Sequence, residues 1–159
     1  MTMPIGIVLA LIMGPKQTVT LSDFFTATTR LESAITKVLK VKATERGNTK
    51  QLSSLVTCDD LARELYRMKQ FTKSAWTVTP NKKKLDAKFP IKTSKEVTPL
   101  AVALIEDGFA PTFGPLTDMG PSEPLTITQI GEALGYFMAR LAEITHVPSQ
   151  KFSPELKDG

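Results

Sequence analysis

Four stretches of the chain read as helices, three from apolar residues at helical spacing and one from its end signals and a continuous apolar run. In the first, Phe24, Ala27, Leu31, Ala34, Ile35, Val38 and Leu39 follow one another at three- and four-residue steps, with Arg30, Glu32, Lys37 and Lys40 between them. That is the buried stripe of an amphipathic helix, expected over residues 23–42. Ser22 is the predicted N-cap, its hydroxyl accepting from a free amide of the first turn, and Asp23 suits the positive end of the helix dipole. In the second stretch, Leu61, Leu65, Met68 and Ala75 share a face that Leu52, Leu55 and Ala62 nearly extend. Residues 51–76 therefore read as one long helix or as two, with Thr57 and Asp60 marking a fresh start. The adjacent Asp59 and Asp60 point about 100° apart on a helix and converge poorly as a catalytic pair. They are read as carboxylates that complement the dipole of a first turn.

The third stretch, TPLAVALIEDG, carries its own punctuation. Thr98 is the expected cap, Pro99 sits in the first turn where its missing N–H costs nothing, and Gly108 provides a left-handed stop. Two irregular regions flank it. Residues 77–98 are broken by Pro80 and Pro90 and hold six lysines against Asp86 and Glu96, which predicts a basic loop or β-hairpin-like arm. Residues 108–124 hold seven Gly or Pro, too many for a regular element, yet they carry Phe109, Phe113, Leu116 and Met119. Large apolar groups are unusual in a solvated linker, so these four are expected to lie against a surface, their own or a partner's.

The fourth stretch, PLTITQIGEALGYFMARLAEI, poses a choice. With Gly135 as a turn glycine, the apolar spacing is similar to the core pattern of helix-turn-helix domains over about twenty residues. The reading helix would then present Met138, Ala139, Arg140, Ala142 and Glu143, a poor set for base edges and phosphates. As a single helix, the segment starts at a Thr126–Gln129 capping box and runs Ile127, Ile130, Leu134, Phe137, Met138, Leu141 and Ile144 without a break, ending at Val147-Pro148. Gly131, Gly135 and Ala139 then line up as a smooth strip for a close-packed neighbour, offsetting roughly 1 kcal/mol per helical glycine.

Composition narrows the chemistry. Of 159 residues, 42% are hydrophobic, enough for a core in a single domain spanning 1–159, with an extended tail at 148–159. Cys58 and His146 are each the only one of their kind, which excludes an internal disulfide and any cysteine- or histidine-paired metal site. No phosphate-binding glycine loop, dinucleotide fingerprint or nucleophile elbow occurs, and no cofactor is expected. Cys58 reads as core and His146 as a group complementing a helix C-terminus. Trp76 and Tyr66 read as core or interface anchors, although either type can stack on bases beside lysines. The apolar run at 5–13 is too short to span a bilayer and lacks the charged flank of a secretory signal. It is expected as a buried strand, a short helix or an intersubunit arm.

Charge is uneven. Residues 1–98 hold 17 Lys and Arg against 8 Asp and Glu, whereas residues 99–159 hold 3 against 8. Three readings follow: internal neutralisation, head-to-tail contact between copies, or a basic front facing nucleic acid. The sequence predicts a mainly α fold of three to four helices with long Pro/Gly-rich connections and a short strand or β-arm. The functional expectation is a non-enzymatic structural subunit of a larger assembly, such as a viral or bacteriophage particle, located in the virion or cytoplasm. Gly131, Gly135 and Ala139 would be its helix-packing strip, and Phe109, Phe113, Leu116 and Met119 its partner surface. Lys82, Lys83, Lys84 and Lys88 would contact nucleic acid or an acidic partner. The alternative is a small nucleic-acid-binding protein using the basic loop and a degenerate helix-turn-helix.

Overall fold

The apolar stripes close on one another in the computed structural model, which describes residues 17–152. The 5–13 run and the end of the tail lie outside the described residues. Helix α1 spans Leu21–Leu39, α2 Cys58–Thr72, α3 Thr98–Glu106, α4 Pro115–Asp118 and α5 Ile127–Thr145. Single 3₁₀ turns follow α2 at Lys73–Ala75 and α5 at Ser149–Phe152. Helix α2 touches each of the other four α-helices, and the last 3₁₀ turn packs on α1 and α5.

Several boundaries differ from the sequence expectation, each for a local reason. The cap of α1 is Thr20, whose Oγ1 accepts from the Asp23 amide at 3.2 Å, not Ser22. Leu21 is fully buried, and the Leu21 and Ser22 amides donate to the carbonyls of Ser54 and Leu52. Burial of Leu21 therefore selects the earlier of two competent caps. The helix stops at Lys40, which takes the left-handed conformation (φ 56°) despite its side chain. Residues 51–57 stay outside α2. The Asp60 carboxylate reaches back to the Thr57 amide (2.9 Å) and hydroxyl (3.1 Å), fixing the start at Cys58. Thr98 is already helical, and its hydroxyl donates to the Ser94 carbonyl. The stop at Gly108 (φ 82°) is as expected.

Residues 108–124 do hold a regular element. The Gly114 amide donates to Thr117 Oγ1, and Pro115 opens the one-turn helix α4. Of the two forms expected for the basic segment, the loop is the one seen: residues 77–97 are irregular apart from turns, and the β-structure among the described residues is limited to the isolated bridges Thr18–Thr126 and Thr20–Leu55. The start of the expected extended tail folds back, placing Phe152 fully inside the core.

The N-terminal ends of α1, α2 and α5 meet through short extended segments. Val56 N–H donates to the Val19 carbonyl, Leu125 N–H to Val56, and Ile127 N–H to Gln17. The last of these satisfies an amide that the first turn of α5 leaves unpaired, and the other two pair the extended residues just before the N-caps of α2 and α5. Midway along α5, Phe109 lies between Trp76 and Phe137, with centroids 5.5 Å and 5.0 Å away. This aromatic stack joins the 3₁₀ turn, the α3–α4 connection and α5.

Candidate functional site

The fourth apolar stretch is one unbroken helix. Thr126 Oγ1 accepts from the Gln129 amide, and Gln129 Oε1 accepts from the Thr126 amide, so both halves of the capping box form. Gly135 is helical, and no turn interrupts the segment. Ala133, Leu134, Phe137 and Met138 take the core-facing positions. The Gly135–Ala139 part of the strip is thereby turned outward, with Gly131 half-buried: a Cβ at Gly135 would meet nothing within 4 Å, and Ala139 is exposed. Within the described residues no second helix covers the Gly135–Ala139 part of the strip. Glu132, Tyr136 and Glu143 are exposed on the same side.

The four apolar residues of the 108–124 connection separate. Phe109 is fully buried and Leu116 nearly so, and both belong to the core of their own chain. Their assignment to a partner surface is corrected accordingly: the aromatic stack and the contact of α4 with α2 hold them inward. Met119 is half-buried against the same core. Phe113 is 80% exposed, on the turn that Gly114 and Thr117 fix.

The basic loop is tied down by its backbone and leaves its side chains outside. Lys83 N–H donates to the Glu106 carbonyl at 3.0 Å and Leu85 N–H to the Glu106 carboxylate at 2.9 Å. Asp86 closes a turn onto the Lys88 amide, and Lys92 N–H bonds to Leu116. Lys82, Lys83, Lys84 and Lys88 are exposed, and no ammonium of the loop makes an ion pair among the described residues. Trp76, one of the two aromatics considered for base stacking, is occupied by Phe109. Lys69 Nζ lies over the rings of both Trp76 and Tyr66.

A separate group of cations, on α2 and the segment before it, is paired, and this network had no sequence signature. Glu64, with a side chain only 2% exposed, accepts from Arg46 Nε (2.7 Å), Arg67 Nε (2.8 Å) and the Thr28 hydroxyl. Arg67 also grips Glu32 at 2.9 Å and the Thr44 carbonyl at 2.6 Å. Burial pushes the Glu64 carboxyl up. Hydrogen bonds from Arg67 and Thr28 and the charges of Arg67 and Arg46 outweigh that and hold it below the usual range. A cleft of about 450 Å³ adjoins, walled by residues 45–50, α2 and α3. Its other cations are tied as well, Lys50 to Asp60 (2.7 Å) and Arg63 to Glu96 (3.5 Å). The arrangement clamps the 40–57 segment onto α1 and α2 by mutual neutralisation.

Cys58 is buried at the start of α2, and burial first, then Asp59, pushes its thiol up to about 11. A thiol so held is a poor nucleophile. His146 is exposed, bonded to Thr77, at the far end of α5. Because Val56 adjoins Leu125 at the near end, roughly 28 Å of helix separates Cys58 from His146, and the structure does not bring them together. Among the described residues no cluster of acidic, Cys or His side chains could hold a metal ion, and no helix is long and apolar enough to cross a membrane. Compared with family models, curated proteins and solved structures, the chain matches none.

Proposed function

We propose that this chain is a non-enzymatic structural subunit that works by docking onto other protein subunits, self or different, as in a viral or bacteriophage particle. The observation that carries the reading is Phe113. A phenylalanine held 80% exposed on a turn fixed by a proline and a side-chain hydrogen bond has the form of an interface anchor. Its rigidity lowers the entropy lost on docking. Tyr136, Leu52 and Leu55 add exposed apolar surface elsewhere. The test is the mass of the purified full chain by light scattering across a wide concentration range. We expect mass to rise with concentration and Phe113→Ser to suppress the rise while leaving the melting temperature nearly unchanged. A strict monomer at every concentration, for both proteins, would overturn the reading.

A second reading is favoured by the lysines of the 82–95 loop. Six cations without an ion pair among the described residues form an electrostatic footprint for nucleic acid. Tight DNA or RNA binding that falls steeply with salt would support it.

A further inference from the structure

We propose that the outward face of α5 is the docking site for the lysine loop of a second copy of this chain. The inference rests on the assembly reading above and names its partner. The α5 face has three features that fit an irregular basic segment. Gly135 and Ala139 leave the helix backbone open to close approach. Tyr136, 45% exposed, stands beside them as an amphipathic contact. Glu132 has no ion pair among the described residues, and Glu143 has only a loose one, at 3.9 Å from Arg140 with 70% of its side chain exposed. These two carboxylates stand roughly 16 Å apart along the helix, with the small residues and the tyrosine between them.

The matching element is on the same chain. Lys82, Lys83 and Lys84 project from a loop whose backbone is already fixed to Glu106, so docking would order little that is not ordered in the monomer. Among the described residues, intramolecular ion pairing does not consume these charges. Of the eight ion pairs among the described residues, only Lys69–Asp107 joins the basic front of the chain to its acidic rear. The complementary charge left on the two surfaces is what selects a second copy as the occupant. If each copy docks its loop on one neighbour and offers its α5 face to another, the contact is heterologous and propagates into a ring or an open chain; reciprocal docking closes a two-fold dimer.

A charge-swap experiment on the full chain tests this by sedimentation velocity. The unmodified protein should associate at roughly 0.02 M salt and dissociate at about 0.5 M, as the screening length falls from about 20 Å to about 4 Å. Glu132→Lys with Glu143→Lys, and separately Lys82→Glu with Lys83→Glu and Lys84→Glu, should each weaken association at least about tenfold with folded circular dichroism spectra. Mixing the two variants should restore a complex, because each then supplies the surface the other lacks. Absence of rescue on mixing, or unaltered association by either variant alone, overturns the inference. If that happens while Phe113→Ser still suppresses assembly, the docking reading survives without this partner surface. A salt-independent monomer that binds nucleic acid through Lys82–Lys84 overturns both.

Discussion

At the scale of single residues, position on the helix decides what a side chain does. Gly135 costs α5 stability as a helical glycine, and nothing occupies the space a methyl group would fill. Gly135→Ala should therefore stabilise the monomer by about 1 kcal/mol, measured by urea denaturation in high salt. A loss of stability would mean the site is packed after all. The glycine spacing was legible in the sequence, but the side on which it would face was not. The chain lists Gly131 and Gly135 among Ala133, Leu134, Phe137 and Met138, and only the competition for the core turns the larger residues in. Phe109 and Phe113 make the same point: they are four residues apart among the same breakers, one in an aromatic stack and the other in solvent.

At the scale of elements, α1, α2 and α5 were legible from apolar periodicity and α3 from its Thr-Pro start and Gly stop, because these signals are local, and α5 with its capping box was the clearest. The clamp on the 40–57 segment was not, because Glu32, Arg46, Glu64 and Arg67 come from three segments and share no spacing. That clamp makes acid stability depend on Glu64. Its carboxyl titrates lower in the folded chain than the ordinary value of 4.5, so its contribution is full above that value and is lost as the pH falls through the folded value. The melting temperature should drop as the pH is lowered below about 4.5. Glu64→Gln should be less stable at neutral pH and show a shallower acid limb. An unchanged acid limb in that variant would show that other carboxylates control it.

At the scale of the whole molecule, a mainly α fold was expected and is observed, while its wiring was beyond reach of local patterns. No spacing rule announces that Val56 adjoins both Val19 and Leu125, yet those backbone bonds lie where three helices begin. The proposed docking face follows from that wiring, since it determines which side of α5 is outward. It also bears on time. A helical protein with short connections folds through neighbouring contacts, but here the chain must close loops from Val19 to Val56 and from Val56 to Leu125 before the helix starts are pinned. Closure entropy is lost before those contacts form, so refolding should be slow for an all-α chain of this size. Stopped-flow measurements on Leu125→Ala should find most of its destabilisation in a slower folding rate. If only unfolding accelerates, the junction forms late. A junction that forms early makes the long, irregular connections the pacemaker of folding, and the helices themselves its rapid followers.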